Sequence, residues 1–456
     1  MSQLTGPLTT YPARVSFTAY VLTILVGGFL LTLPVARQPD RLPVTLVEGL
    51  FTATSACCVT GLTVRSTPHD YSTFGQAVIL VLMQLGGLGI MTITTLAAFQ
   101  IGGQATLRQR AVVADTLGIK GGSDLRSVAL AVFLVVAAAE FLGFVLLAWA
   151  TWGSGLPGEV LWWSAFHSVS AFCNGGFALA DDSLIPFAGS LPINAIIAIL
   201  VVVGGIGFPV ILDVAGRLRQ PGNFWQRLTI HSKLMLLGTA VLLVVGAVSF
   251  WALEWEGTLA DEPLKTRILT GLFHSVTCRT AGFNTVDYAS LASPTLFLAI
   301  ILMAIGAGPG STGGGFKVST LMTLVVSSWS SFRGLPRANF GRRTIPSTAI
   351  RRATATALLF GAVVVVAMVA LLTVEARNAT AGRPRWFLEA LFECISALGT
   401  VGLSTGITSS LTDPGKIVLM TLMLLGRLGP LTAAVALGRQ RTPYQPEYLE
   451  EEPLVG

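Results

Sequence analysis

The chain has 456 residues, of which 52% are hydrophobic and only 11% charged, with a mean hydropathy of +0.72 and a formal net charge of +6. Soluble domains carry about 25% charged residues, so this composition excludes a soluble globular protein and predicts a polytopic α-helical membrane protein. The positive balance reads as a membrane-topology signal and not as a nucleic-acid patch, because the basic residues are dispersed between apolar spans.

The first apolar span is Val15–Val35. It is long, lacks a small-residue cleavage pattern and precedes further spans, which argues against a secretory signal peptide. The half-polar run "LFTATSACCVTGLTV" follows from Leu50, and then a second span, Thr73–Gln100. This order recurs. Ser127–Trp152, "AFHSVSAFCNGGFAL" from Ala165 and Leu191–Leu212 make a second copy, and Leu234–Leu253, "LFHSVTCRTAGFNTV" from Leu272 and Pro294–Trp329 a third. Ala353–Val374, "LFECISALGTVGLST" from Leu391 and Lys416–Leu437 complete the fourth. From Phe to Gly is ten residues in copies one, two and four and nine in copy three, and the glycines Gly61, Gly176, Gly282 and Gly402 lie 115, 106 and 120 residues apart. The short runs cannot cross a bilayer and fit re-entrant segments. The predicted fold is therefore an all-α polytopic membrane protein of four pseudo-fourfold span–pore helix–span (M1–P–M2) repeats, eight transmembrane helices plus four re-entrant pore helices around a central ion pore. The repeats are placed at 1–110, 111–228, 229–345 and 346–440, with a cytoplasmic tail at 441–456.

Of the 29 basic residues, 17 fall in the connections between repeats and at the two ends, including Arg108, Arg110 and Lys120, and ten on the opposite side. That bias predicts a multi-pass protein of the plasma (inner) membrane with both termini cytoplasmic and the four dips entering from outside. The five cysteines, Cys57, Cys58, Cys173, Cys278 and Cys394, all lie in or beside the dips; their odd number and spacing suit neither a disulfide framework nor a metal site.

Non-helical backbone at membrane depth must be buried in protein or line water. Four like loops around one axis can replace the hydration shell of a bare cation with peptide carbonyls, glycine allows the backbone to turn inward, and each pore helix directs its partly negative end at the cation. No acidic side chain occurs in Val59–Gly61, Asn174–Gly176, Thr280–Gly282 or Thr400–Gly402. Carbonyl coordination without carboxylates favours potassium over divalent ions.

The segments "CCVTGL" (57–62), "RTAGFNTVD" (279–287) and "GTVGLSTG" (399–406) resemble three filter motifs of the Trk/Ktr/HKT superfamily of potassium transporters, and "GPGSTGGGFK" (308–317) and "GRLGPLT" (426–432) resemble two further signatures. The resemblance covers residues 15 to 440 and is greatest to KtrB-type membrane subunits. It implies an ion selectivity filter formed by Val59, Thr60 and Gly61; by Cys173, Asn174, Gly175 and Gly176; by Arg279, Thr280, Ala281 and Gly282; and by Gly399, Thr400, Val401 and Gly402. Potassium, the transported substrate, would be held by backbone carbonyls at Gly61, Gly176, Gly282 and Gly402, with sodium as the second candidate ion. The resemblance further implies a homodimer on a cytoplasmic ring of RCK-type regulatory subunits that bind ATP or ADP (KtrA-like); this chain itself binds no cofactor. Filter two departs from the family pattern at Cys173 and Gly175, which puts its stringency in question.

The second spans carry another repeat: "GGLG" (Gly86–Gly89), "GGIG" (Gly204–Gly207) and "GRLG" (Gly426–Gly429), with "GAGPGSTGGG" at the corresponding place of unit three. For the first two, close helix packing is the plain reading. The third is too rich in glycine and proline to remain helical and predicts an intramembrane loop, 306–317, below the filter. Gly306, Gly308, Pro309, Gly310, Ser311, Thr312, Gly313, Gly314, Gly315 and Lys317 would form a gate with Arg427, whose charge repels potassium and whose donors reach loop carbonyls; a structural pair with Glu140 is the competing role. A phosphate-binding loop is disfavoured, as no strand precedes it and Lys317 is misplaced for that motif. His167 and His274, at equivalent positions, read as packing or helix contacts against a weaker proton-relay reading, Asn378 begins a glycosylation pattern, and the acidic tail is a candidate contact.

The expected function is gated potassium uptake, with no enzymatic activity and no nucleic-acid partner. A sodium-selective or non-selective monovalent cation transporter is the alternative. A coupled solute transporter would show inverted repeats, and a membrane enzyme would need acidic or histidine clusters within the spans.

Overall fold

The computed structural model describes residues 12–89, 125–152, 160–218, 222, 224–341, 343–378 and 382–429. Four times the chain passes from a long helix through a short one and a glycine turn into another helix. The first pass is α1 (Pro12–Thr32), α2 (Leu46–Cys57) and α3 (Thr73–Leu88). The second is α4 (Leu125–Thr151), α5 (Val160–Phe172), α6 (Leu191–Ile206) and α7 (Phe208–Leu218). The third is α8 (Ile230–Glu254), α9 (Leu264–Thr277), α10 (Ser293–Ala304) and α11 (Val318–Phe332), and the fourth α12 (Ser347–Glu375), α13 (Trp386–Gly399) and α14 (Asp413–Leu428).

Local chemistry fixes the helix starts. Thr45 and Glu48 form a capping box at α2, the backbone N–H of each bonding the other's side chain. Ser72 and Thr412 cap α3 and α14 in the same position relative to Gly75 and Gly415. Prolines at the first turns of α6, α10 and α14 give up no needed donor. Two buried acids tie long helices to later starts: Glu254 accepts Ala292 N, and Glu375 accepts Thr412 N at 2.9 Å.

Among the described residues three helical stretches, Leu130–Thr151, Ile230–Glu254 and Ser347–Glu375, are long and apolar enough to cross a membrane. α6 and α7 make a fourth if taken together, but they bend by 100°. The long helices turn bulky apolar side chains outward, Phe141 and Val366 among them, each more than 60% exposed. The short helices are buried: Phe51, Phe166, Phe172 and Phe392 are inaccessible, and the largest core joins α10, α12, α13 and α14.

Two expectations are corrected. The second spans of units one, two and four do not run on as single helices: α3, α6 and α14 end at Gly89, Gly207 and Gly429, with φ of +78°, +100° and +81°. A Cβ on Gly207 would sit 2.6 Å from Pro309 O, so the turn serves the close approach of the 306–317 loop as well as the backbone twist. The fold is also not purely α. The third connection holds a two-stranded antiparallel ladder, Asn339–Phe340 with Arg343–Thr344, packed on α8 through Ala338, Ile345 and Leu234. The stretch is basic and polar, and its turn glycine, Gly341, masks a strand signal only two residues long.

Candidate functional site

Each short helix ends in the same backbone turn. Val59, Asn174, Thr280 and Thr400 adopt φ of +55°, +59°, +70° and +50°, and two residues later Gly61, Gly176, Gly282 and Gly402 adopt +98°, +69°, +79° and +92°. A left-handed conformation costs a non-glycine residue about 1–2 kcal/mol, so four such residues need an anchor. The next N–H supplies it, bonding back into the helix: Thr60 to Ser55 O, Gly175 to Ser170 O, Ala281 to Thr277 O and Val401 to Ser396 O, at 2.6–3.1 Å.

The four glycines meet in a closed order. A Cβ built on Gly61 would lie 2.8 Å from Gly175 O, one on Gly176 3.1 Å from Ala281 O, and one on Gly282 2.7 Å from Val401 O. On Gly402 it would lie 2.0 Å from Thr60 O, which returns to the first segment. Each glycine thus abuts the carbonyl just before the next glycine around a ring, and any side chain would strike backbone. A cavity of about 660 Å³ opens onto one side of this ring, lined by all four glycines and by Glu48, Arg65, Asp70, Asp181 and Asp287.

A second set of four residues braces the ring and was missed in the sequence. Ser55 Oγ accepts Gly61 N at 3.0 Å, and Ser396 Oγ accepts Gly402 N at 3.1 Å while donating to Leu403 O. Ser170 Oγ donates to Phe177 O at 2.8 Å and Thr277 Oγ1 to Phe283 O at 2.5 Å. The signal was present: a hydroxyl stands six residues before the glycine in three units and five before it in the third, the same one-residue shortening as the Phe–Gly interval.

The 306–317 loop lies on the other side of the ring. Gly308 N and Thr312 N donate to Gly205 O and Gly204 O, Phe208 N donates to Gly310 O, and Gly314 N donates to Thr400 Oγ1 at 2.9 Å. Thr312 Oγ1 donates to Phe172 O, and Lys317 Nζ returns to Gly313 O at 2.8 Å. A Cβ on Gly313 or Gly314 would meet Thr280 Oγ1 or Thr400 Oγ1 at 2.2 and 2.5 Å. The loop therefore touches segments two, three and four directly under the turns. Gly306 and Ser311 close it internally, Gly306 N bonding Phe316 O and Ser311 Oγ bonding Gly308 O, while Gly315 N reaches Gly426 O and Pro309 sits against Gly207.

Arg427 links the loop to the remaining segment. Its guanidinium donates to Thr312 O and to Gly86 O, with Gly87 O and Tyr20 Oη at 3.4 Å. Glu140 is not its partner. That carboxylate accepts Gln84 Nε2 at 3.1 Å and faces Cys173 Sγ, so the Glu140 pairing is ruled out by the geometry. The first glycines of these motifs in units one, two and four also pack: a Cβ on Gly86, Gly204 or Gly426 would fall within about 2 Å of Cys57 O, Phe172 O or Leu398 O, carbonyls in the last turns of three short helices.

The remaining residues assigned to the filter lie behind the ring. Cys173 Sγ is turned toward Gln84 and Glu140, Asn174 shares a 3.0 Å hydrogen bond with Thr280, Gly399 packs on Met303 O, and the Arg279 side chain points to Thr239. His167 stacks on Trp163 at 3.8 Å and meets Leu179 N, while His274 stacks on Phe250 and bonds Tyr288 Oη at 2.9 Å. Both histidines hold short helices in place. Asn378 bonds Ser410 O; the rest of its glycosylation pattern, Pro430–Thr432, the tail at 441–456 and Arg108, Arg110 and Lys120 lie outside the described residues.

The TrkH family, described as cation transport proteins, matches residues 9–441. The chain is 36% identical to the Ktr system potassium uptake protein B of Vibrio alginolyticus over 450 residues, 97% of this chain and 94% of that protein. It is 35% identical to the potassium/sodium uptake protein NtpJ of Enterococcus hirae, covering 98% and 97% of the two chains. Among solved structures, the potassium transporter TrkH from Vibrio parahaemolyticus shares the fold with a TM-score of 0.70, at 21% identity over 93% of this chain and 84% of that one. The glycine ring, the loop beneath it and the apolar helices around them therefore belong to a membrane protein of the TrkH family of cation transporters.

Proposed function

We propose that this chain is the membrane subunit of a potassium uptake system. The closed ring of Gly61, Gly176, Gly282 and Gly402 carries the reading, because each glycine abuts a neighbouring carbonyl and the ring offers a small cation oxygen ligands without a carboxylate. Val59–Gly61, Asn174–Gly176, Thr280–Gly282 and Thr400–Gly402 form the filter, the α2, α5, α9 and α13 helices are re-entrant, and the flanking helices make eight spans in the four repeats 1–110, 111–228, 229–345 and 346–440. The 306–317 loop and Arg427 form the gate. Relatives of this length are named for a Ktr system, which supports a second, regulatory subunit, and we assign that role to a cytoplasmic nucleotide-binding ring acting on a homodimer in the plasma membrane.

Uptake of ⁸⁶Rb⁺ and ²²Na⁺ into liposomes holding the purified protein tests this. Rubidium flux should exceed sodium flux, and Gly61→Ser should erode the preference. A sodium flux equal to or above rubidium in the wild type would favour the second reading, a less selective monovalent cation transporter, which the potassium/sodium name of the Enterococcus relative supports.

A further inference from the structure

Arg279 has no role in the ring geometry. It stands three residues before Gly282, where the other segments have Cys58, Cys173 and Gly399. The residue is only 8% exposed. The guanidinium makes one hydrogen bond, to Thr239 Oγ1 at 3.2 Å, and Nε has no partner. A small cavity beside it is lined by Val201, Val202, Leu243 and Val276, with Gly205. No ion pair among the described residues includes it. A guanidinium stays charged throughout the physiological range, and an unpaired charge buried among apolar groups is costly to fold. A methionine or leucine would fill the same space without that cost.

The side of the ring that faces the large cavity has the opposite character. Glu48, Asp70, Asp181 and Asp287 line it, and Arg65 is the single basic residue of the same lining, with Arg41 at 4.0 Å from Asp70 and His69 at 3.5 Å from Asp181. Such a mouth concentrates divalent cations more strongly than monovalent ones, and the ring sets only its carbonyl coordination, and no charge, against them. A fixed positive charge behind the third segment supplies one. It raises the energy of an ion in the ring in proportion to that ion's charge, and in a buried setting this field is poorly screened. A divalent ion therefore bears twice the penalty of a monovalent one.

We propose that Arg279 is a specificity-determining residue that makes the ring reject divalent cations. This rests on the transport reading of the same site. It also implies weaker binding, and faster release, of the monovalent substrate.

The probe is Ba²⁺, a divalent ion of potassium-like size, used to inhibit ⁸⁶Rb⁺ uptake by full-length protein in liposomes. Arg279→Met should lower the KM for Rb⁺ by roughly three- to tenfold and lower the inhibitory Ba²⁺ concentration by the square of that factor. Arg279→Lys, which keeps the charge, should behave as wild type in both respects. Val202→Glu offers a second route that leaves the arginine in place: a carboxylate beside the guanidinium should shift both values in the direction of Arg279→Met. Wild-type uptake with Rb⁺ KM and Ba²⁺ inhibition unchanged in the variant proteins that fold would overturn the proposal alone, as would Arg279→Lys matching Arg279→Met. Equal fold-changes for Rb⁺ and Ba²⁺ would also overturn it, since they show loss of packing and not of charge. Wild-type liposomes that take up no Rb⁺ would sink it together with the transport reading.

Discussion

Ser396 shows how much of the ring is held by side chains that never face it. Its hydroxyl accepts the N–H of Gly402 and donates to Leu403 O, fixing both sides of the ring glycine. Ser396→Ala leaves a buried N–H and a buried carbonyl short of partners, a loss of about 1–3 kcal/mol. We expect a lower Tm together with a reduced Rb⁺/Na⁺ flux ratio, while a serine outside the ring such as Ser249 changes neither when replaced by alanine. A second expectation concerns Glu48 at the cavity rim. Burial pushes its carboxyl up, but hydrogen bonds from Arg65 and Thr45 more than reverse this and hold it below the ordinary carboxylate range. A folded-state value below the unfolded one gives stability that is present above the ordinary carboxylate value of about 4.3 and is lost as pH falls through the folded value. Thermal melting between roughly pH 6 and pH 3 should therefore show a steeper acid loss in wild type than in Glu48→Gln. At this scale the glycines were legible because four copies repeat them at one spacing. The bracing hydroxyls were equally regular but lie inside helices, where a serine or threonine also reads as ordinary half-polar surface.

At the scale of elements, the loop at 306–317 was legible and the breaks in its three counterparts were not. Six glycines and a proline cannot stay helical, whereas a "GGLG" or "GGIG" is equally good as a helix-packing patch. What decides the matter is tertiary. Gly86, Gly204 and Gly426 do pack, against Cys57 O, Phe172 O and Leu398 O, and the helices then stop at Gly89, Gly207 and Gly429. Both halves of the motif are used, one for close approach and one for the turn. The partner of Arg427 was open for the same reason: Glu140 and the loop carbonyls are both remote in sequence, and only the fold brings Thr312 O and Gly86 O to the guanidinium. Hydrogen bonds from a charged donor contribute about 1.5–3 kcal/mol each, so removing this group should free the loop. Arg427→Ala is expected to raise Rb⁺ flux through the purified subunit by tenfold or more, as two such bonds imply, whereas an unchanged rate would mean that the loop is held elsewhere.

For the whole molecule, composition and periodicity gave the solvent and the helical class, because a bilayer imposes lengths and apolarity that are written in the chain. They gave no information on which segment lies beside which. The closed order one, two, three, four and back to one is a property of the folded ring, seen in Gly402 against Thr60 O across a separation of 342 residues. The short ladder at Asn339–Phe340 and Arg343–Thr344 escaped for the opposite reason, since four residues carry too little pattern to register. The central claim is that a cation sits in this ring, held by backbone oxygens from all four segments. Crystals of the protein grown in Rb⁺, with diffraction recorded at the rubidium absorption edge, test it most directly. The account predicts an anomalous peak on the ring axis, within coordination distance of carbonyls from the Gly61, Gly176, Gly282 and Gly402 turns, that weakens when Na⁺ replaces Rb⁺. Rubidium bound only at the acidic rim around Glu48, Asp70, Asp181 and Asp287, with none in the ring, would contradict it.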